Sequence, residues 1–196
     1  MRALLLSALL VASCGGAAQP ATTLPVRTAA PTAAATLART AAPTVAFPCP
    51  DGPPATKATI ELVKGGAIVM QLRPDKARCT VANFAKNARE GKYDNLTFHR
   101  VERTPPFVIQ GGDPLGNGTG GGNQASEFND LPFTLGAVGI ARGPDPKVSN
   151  LMQFFVCIGS CRHLDGQYTN FAQVTAGQEV ANAVQVGDRM RTIRIE

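Results

Sequence analysis

The chain has 196 residues, with 19 Lys or Arg against 14 Asp or Glu and a formal net charge of +5. This length allows one ordinary domain with appendages. The basic residues are scattered and aromatic residues make up only 6% of the chain. Because nucleic-acid-binding proteins carry a clustered basic patch, we expect no nucleic-acid partner.

The N-terminus has the pattern of an export signal. Arg2 precedes an apolar stretch at 3–12, which is too short to span a bilayer, since a spanning helix needs ~20 residues. The residues VASC, which end at Cys14, resemble a bacterial lipobox, in which the cysteine is lipidated. We therefore interpret 1–13 as a signal peptide with lipobox, the alternative being an ordinary cleaved signal. The expected location is a cell membrane or outer envelope, with a lipid-anchored domain facing outside the cytoplasm.

A low-complexity segment follows over residues 14–55. It is rich in Ala, Pro and Thr, and the unit RTAAPT occurs at 27–32 and again at 39–44. Such a composition cannot bury enough apolar surface to offset the entropy of ordering. The segment is predicted to be a disordered tether that precedes a globular domain over 56–196.

The domain is predicted to be rich in strands. Two alternating runs at 58–63 and 67–72 flank a Gly-Gly pair and predict a hairpin. Apolar residues at helical spacing predict a helix from Pro74 that ends near Gly91, and a second short helix is predicted over 178–184. Further short apolar runs separated by Gly and Pro indicate a sandwich or barrel. They lie at 96–101, 107–110, 137–141, 154–158, 169–174 and 192–195.

The chain has five cysteines, which divide into one for lipid and four others. An even number in an exported protein suggests disulfides. Of the three possible pairings, we favour Cys49 with Cys79 and Cys157 with Cys161. The Cys-x3-Cys spacing, with His163 two residues further on, also suggests a zinc site, but a fourth ligand is missing nearby. No metal or cofactor is expected.

Three segments form an ordered set of motifs. They are FHRVERTPPFVIQGGDP at 98–114, QFFV at 153–156, and HLDGQY at 163–168, which is followed by Phe171. Their order and approximate spacing resemble cyclophilins, in which the matching stretches read Phe-His-Arg, Phe-x-x-Gln-Gly-Gly-Asp, Gln-Phe-Phe and Leu-Asp-Gly. The resemblance runs from about Thr59 to the C-terminus. It implies a mainly β fold, a cyclophilin-like closed antiparallel barrel of about eight strands with two helices, and peptidyl-prolyl cis-trans isomerase activity.

The reaction requires only rotation about an amide. Resonance gives the X-Pro bond a barrier of roughly 18–20 kcal/mol, and an enzyme need only favour the twisted amide. An arginine is always charged and offers several donors in a rigid fork. By resemblance, Arg100 is the catalytic donor to the proline nitrogen and Gln110 orients it. His99, the neighbour of Arg100 in a strand, is expected to face the other way and to be structural.

The resemblance also implies an apolar proline pocket with a polar rim. Its substrate-binding residues would be Phe107, Val108, Ala141, Arg142, Gln153, Phe155, His163, Leu164 and Tyr168.

The rim departs from the family pattern at several points. Two extra residues lie between Arg100 and Phe107. Arg142 stands where many members have Asn, His163 where the best-known eukaryotic members have Trp, and Tyr168 where they have His. We expect catalysis to be retained, and the ligand preference of the rim, including for cyclosporin, to differ.

The leading hypothesis is an isomerase that accelerates X-Pro isomerisation in exported proteins. The alternative is a proline-peptide binding module or holdase chaperone with little or no turnover. The expected partners are proline-containing polypeptides and, through the lipid anchor, a membrane. We expect the protein to be a monomer.

Overall fold

The structure is a computed structural model that describes residues 47–196; the predicted signal peptide, Cys14 and most of the predicted tether lie outside the described residues. The described part is mainly β. Its strands are β1 (Lys57–Leu62), β2 (Ala67–Leu72), β3 (Phe98–Val101), β4 (Val108–Gly111), β5 (Asn123–Ala125), β6 (Ala137–Arg142), β7 (Val148–Cys157), β8 (Asn170–Ala176) and β9 (Met190–Ile195). The helices are α1 (Arg78–Arg89) and α2 (Gln178–Asn182), and a 3-10 turn spans Arg162–Leu164.

The first hairpin follows directly from the alternation of its residues. In β1 the side chains of Ile60 and Leu62 are buried, and in β2 those of Ile68 and Met70 are buried, while their neighbours face outward. Because strand side chains alternate between faces, each strand places an apolar row on the core side. The predicted hairpin is confirmed, and it pairs antiparallel with Ile60 opposite Ile68.

All strands join one antiparallel sheet, in the order β3-β4-β7-β6-β8-β2-β1-β9, with β5 attached to β7 at one side. The sheet curls into an open half-barrel, so the prediction of a closed barrel is wrong. Its two end strands are not joined by a ladder. Beside them lie the isolated bridge between Thr97 and Arg189 and a few backbone hydrogen bonds, such as that from the Phe98 amide to the Asp188 carbonyl at 2.8 Å. The prediction of a mainly β fold with two helices is confirmed.

Helix α1 packs against β7 and β9 and begins four residues later than the sequence predicts. Residues after Pro74 form a turn instead, in which the Ala77 amide donates to the Arg73 carbonyl at 3.0 Å. The helix has no local side-chain cap. The Glu127 carboxylate takes that role from a distant loop, accepting the amides of Cys79 at 3.0 Å and Thr80 at 2.7 Å. A carboxylate satisfies free amides and the positive end of a helix equally well from any point in the chain.

Two clusters of buried apolar side chains hold the fold. The larger one, here called the main core, fills the half-barrel beneath α1 and contains most of the buried aromatic rings. These are Phe84, Tyr93, Phe98, Phe154 and Phe171. The smaller one, here called the cavity cluster, consists of Val108, Phe133, Ala137, Phe155, Cys157 and Cys161.

The residues just before β1 lie along α1. Cys49 is disulfide-bonded to Cys79, with Cα atoms 4.8 Å apart. The Arg89 guanidinium donates to the carbonyls of Pro53 and Pro54, each at 3.2 Å. These contacts attach the start of the domain to its first helix. Across residues 47–196, no helix is both long enough and apolar enough to cross a membrane.

Candidate active site

A cavity of about 850 Å³ opens on the face formed by β3, β4, β6 and β7. The strands contribute its floor, and the segments after β3, after β4 and around the 3-10 turn contribute its rim. Its lining residues are His99, Arg100, Pro105, Pro106, Val108, Gln110, Asn117, Gly118, Ala141, Arg142, Phe155, His163, Leu164 and Tyr168.

A chain of polar side chains fixes one side of this cavity. Arg100 of β3 lies opposite Gln110 of β4 in the sheet, and its Nη1 donates to Gln110 Oε1 at 3.2 Å. Gln110 Nε2 donates to Gln153 Oε1 at 3.0 Å, and Gln153 Nε2 donates to the Gly120 carbonyl at 2.7 Å. Each side chain in this chain of hydrogen bonds donates to the next group. The guanidinium is therefore oriented by a network that reaches into the buried sheet.

The opposite wall is apolar and belongs to the cavity cluster. Phe155 is 4% exposed, stacks on Phe133 with ring centroids 5.5 Å apart, and meets the edge of Tyr168 at 5.7 Å. Gly139 lies behind these rings, where an added Cβ would come within about 3 Å of both Phe155 and Phe133. The glycine therefore lets the two rings lie close to the strand and leaves the cavity open in front of them.

The structure brings together nine of the eleven residues predicted to catalyse or bind substrate. The exceptions are Gln153 and Phe107. Gln153 is buried behind Gln110, to which it is hydrogen-bonded. Phe107 is not among the residues that line the cavity, although it packs against the cavity cluster.

Phe107 adopts a positive φ of 57°, and its ring lies next to Gly159 and packs on the cavity cluster. The longer segment between Arg100 and Phe107 explains the difference, because it carries Pro105 and Pro106 to the cavity wall instead.

The sequence reasoning also missed five lining residues: His99, Pro105, Pro106, Asn117 and Gly118. His99 was expected to face away from Arg100, and this prediction is wrong. The pairing of β3 with β4 shifts register between Phe98 and Arg100, which breaks the strict alternation of faces at the residue between them. An irregularity of this kind leaves no signal in the sequence.

His99 is an unusual member of the lining. Neither ring nitrogen has a hydrogen-bond partner among the described residues. Burial lowers the pKa of His99 below its ordinary value; the Asp113 carboxylate acts in the opposite direction, and the positive charge of Arg100 acts with burial. The imidazole is therefore neutral near pH 7.

The glycine-rich loop after β4 is organised by a single carboxylate. Asp113 is 1% exposed and accepts the backbone amides of Leu115, Asn117, Gly118 and Gly120. Burial acts to raise the pKa of Asp113, but the four amide donors outweigh it and lower that pKa. The loop is held as a fixed rim for the cavity, which places Asn117 and Gly118 in its lining.

On the far rim, Arg142 is held by its neighbours. Its guanidinium lies 4.5 Å from the centre of the Tyr168 ring, its Nε donates to the Gln167 carbonyl at 2.7 Å, and its Nη1 donates to the Gly143 carbonyl at 3.0 Å. Stacking of a cation on an aromatic face favours this arrangement. The two residues that depart from the family pattern here form one unit.

The Cys157 and Cys161 side chains are disulfide-bonded to each other within the cavity cluster, with Cα atoms 6.3 Å apart. Neither side chain is exposed. Within residues 47–196, no three His, Cys, Asp or Glu side chains come together as a possible metal site.

Comparison with known proteins identifies the family to which this fold belongs. Residues 57–196 match the family described as cyclophilin type peptidyl-prolyl cis-trans isomerase. The chain is 42% identical to peptidyl-prolyl cis-trans isomerase B of Bacillus subtilis, over 69% of this chain and 94% of that protein. It is 39% identical to a peptidyl-prolyl cis-trans isomerase of Synechococcus elongatus, over 71% and 96%.

Solved structures agree. A cyclophilin type isomerase of Cryptosporidium parvum matches with a TM-score of 0.65 and 25% identity, covering 73% of this chain and 98% of that one. The same protein, solved in the presence of the dipeptide Ala-Pro, matches with a TM-score of 0.64. The chain belongs to the cyclophilin family. It is a peptidyl-prolyl cis-trans isomerase.

Proposed function

We propose that the cavity binds an X-Pro segment and that Arg100 accelerates its isomerisation by donating to the proline nitrogen of the twisted amide. The observation that carries this proposal is the placement of an oriented guanidinium and an apolar aromatic wall in one cavity. A related isomerase was solved in the presence of the dipeptide Ala-Pro, which is consistent with a proline ligand here.

The apolar wall would receive the pyrrolidine ring. Val108 and Phe155 are almost fully buried and present carbon atoms to the cavity, while Leu164 and Tyr168 are partly buried against them. Placing a proline ring there removes apolar surface from water, which is favourable at about 25 cal/mol per Å². Binding through the ring leaves the preceding amide bond free to rotate.

Arg100 would act on the rotation itself. In the planar amide the nitrogen lone pair is delocalised and is a poor acceptor; in the twisted amide it is localised and accepts a hydrogen bond. A donor that gains its partner only in the transition state lowers the barrier rather than simply tightening binding. The reaction needs no nucleophile and no proton transfer, so no cofactor enters it.

The test is an isomerisation assay on short X-Pro peptides with wild type, Arg100→Ala and Arg100→Lys. Because loss of one positioned donor typically costs about a hundredfold in rate, we expect kcat/KM of Arg100→Ala to fall by about that factor, with Arg100→Lys in between. Arg194→Ala is the matched control, since Arg194 is a strand arginine outside the cavity that pairs with Glu61. Equal rates for Arg100→Ala and wild type would remove Arg100 from the mechanism. Peptide binding by the wild type without acceleration would favour the holdase alternative.

We also propose that the domain works outside the cytoplasm on exported proteins, held to a membrane by a lipid on Cys14. Two features support this: the signal-like sequence of residues 1–14 and the pairing of the four other cysteines into disulfides. Disulfides persist in oxidising compartments and are rare in the cytosol. Residues 14–55 would then act as the tether between the membrane and the isomerase domain.

Mass spectrometry of the mature N-terminus tests the anchor. We expect a lipid-modified Cys14 as the first residue and its loss, with release of the protein from the membrane fraction, in Cys14→Ser. An unmodified terminus at any other residue would overturn the anchor proposal and leave the isomerase proposal untouched.

A further inference from the structure

The segment between β3 and β4 carries a carboxylate beside the catalytic arginine. Glu102 lies two residues after Arg100, so both side chains are on the same side of the extended chain. Arg100 Nε donates to Glu102 Oε1 at 3.3 Å. Glu102 belongs to the segment between Arg100 and Phe107, which is two residues longer than the family pattern.

Glu102 is held at a fixed distance from Arg100 by its own backbone. Its amide donates to the Val108 carbonyl at 2.7 Å, which extends the pairing of β3 with β4 beyond the last ladder residue. The next residue fastens the segment elsewhere: Arg103 donates to the carbonyls of Asn182 at 2.8 Å and Val184 at 2.7 Å. The carboxylate therefore sits between two anchored points, although it is 40% exposed.

The two partners of Arg100 take different parts of its guanidinium. Glu102 accepts from Nε, and Gln110 accepts from Nη1. A guanidinium has five N–H groups. The remaining three, two on Nη2 and one on Nη1, have no partner among residues 47–196. Fixing Nε and one Nη1 hydrogen sets the plane of the group, and the unpaired donors remain for a ligand in the cavity that Arg100 lines.

We propose that Glu102 is a positioning residue for the isomerase reaction, which restricts the rotamers of Arg100 so that its free donors face the bound X-Pro amide. This proposal rests on the proposed role of Arg100. An exposed ion pair contributes little to folding, so the expected effect is on catalysis rather than on stability. A small displacement of a catalytic donor reduces the rate strongly even when binding is unchanged.

A double-mutant cycle tests this on the full chain, with wild type, Glu102→Ala, Arg100→Ala and the double variant assayed on an uncharged X-Pro peptide. An uncharged substrate prevents Glu102 from acting through long-range attraction or repulsion. We expect Glu102→Ala to lower kcat about three- to tenfold with little change in KM, and Glu102→Gln, which keeps an acceptor, to restore part of the loss. In the Arg100→Ala background, Glu102→Ala should have no further effect, because coupled residues are not additive.

The matched control is Glu61→Ala, which removes a carboxylate that also pairs with an exposed strand arginine but lies outside the cavity. We expect it to leave kcat unchanged. The NMR signal of the Arg100 Nε–H group provides a readout independent of turnover, and it should shift in Glu102→Ala and not in Glu61→Ala.

The outcomes separate the two proposals. If Arg100→Ala is inactive while Glu102→Ala has wild-type kcat, the positioning role is wrong and the role of Arg100 stands. An equal loss from Glu102→Ala in both backgrounds would mean that Glu102 acts without Arg100, which also overturns it. If Arg100→Ala retains wild-type activity, both proposals fail together.

Discussion

The two apolar clusters of this domain are built from similar residues but have different surroundings. In the main core, Phe84 contacts Tyr93, Phe154 and Phe171 at centroid distances of 5.2 to 5.7 Å, and all four rings are buried on every side. In the cavity cluster, Phe155 is stacked on one ring, but its other side faces the cavity. The first arrangement satisfies packing alone, whereas the second leaves apolar surface available for a ligand.

The difference separates stability from function. A ring enclosed by other rings contributes its full transfer free energy to folding. Phe155 is only 4% exposed, so it also contributes to folding, but its small exposed part lies at the cavity, where a bound proline would cover it. Substitutions in the main core should therefore change the free energy of unfolding, and substitutions in the cavity cluster should change kcat/KM by more than stability explains.

Phe84→Ala should produce the largest effect, and this effect should be on the free energy of unfolding rather than on activity. Removing a fully enclosed phenylalanine costs about 3–5 kcal/mol through lost burial and the cavity left behind. Denaturant unfolding measures the loss. Because Phe84 does not line the cavity, the barrier to isomerisation should hardly change, and kcat/KM per folded molecule should stay within about twofold of wild type. Each 1.36 kcal/mol in the barrier is tenfold in rate. A tenfold fall in activity of the folded fraction would show that the two clusters are coupled.

Phe155→Ala should show the opposite balance. We expect kcat/KM on X-Pro peptides to fall at least tenfold, because the proline ring loses its apolar wall, with a loss of stability smaller than that of Phe84→Ala. Phe155→Leu is the matched control, since it keeps an apolar side chain and should recover most of the activity. If Phe155→Ala lowered only stability, the ring would belong functionally with the main core.

Gly139→Ala should have a smaller effect, and it acts on the position of the rings rather than on their presence. The new methyl group would meet the Phe155 and Phe133 rings. Overpacking of this kind typically costs about 1–3 kcal/mol. Because Phe155 lines the cavity, we expect its displacement to narrow the cavity and kcat/KM to fall severalfold through a higher KM. Gly143→Ala is the control, since an added Cβ there meets nothing within 4 Å; a similar loss in both variants would contradict the argument.

Much of the fold was predictable because its signals are local. Alternating apolar residues located the hairpin of β1 and β2, and helical spacing located α1. Strand β5 was missed because it is short and mostly polar, spanning only Asn123 to Ala125. Its pairing partner, β7, is distant in the sequence. The start of α1 was misplaced because its cap, Glu127, is 48 residues away from Cys79. Closure of the barrel was predicted by analogy, and no residue pattern reports whether two end strands form a ladder.

In the site, too, features with a local sequence signal could be predicted, and features that depend on long-range contacts could not. The motif residues Arg100, Gln110 and Phe155 lie in one cavity, because their positions follow from the register of β3, β4 and β7. Phe107 lies outside the cavity lining and follows a segment whose extra length the motif does not describe. The contact of Glu102 with Arg100 could not be predicted, because it lies in a segment that Arg103 attaches to Asn182, a residue far away in the sequence.

The smallest expected effect is pH-dependent and concerns His99. This residue shares a feature with each cluster, because it is partly buried and also lines the cavity. Its pKa is lowered in the folded state, mainly by burial. The unfolded chain therefore binds the proton first as the pH falls below about 6.5, so stability decreases from there until the folded pKa is passed. Water screens a partly buried ring, so the decrease should be below about 1 kcal/mol between pH 7 and pH 5.

The free energy of unfolding at each pH, with His99→Asn as the comparison, measures this decrease. The variant should lack this part of the pH dependence. A wild-type stability that rises on acidification through this range, relative to His99→Asn, would mean that the Asp113 carboxylate outweighs burial at the ring.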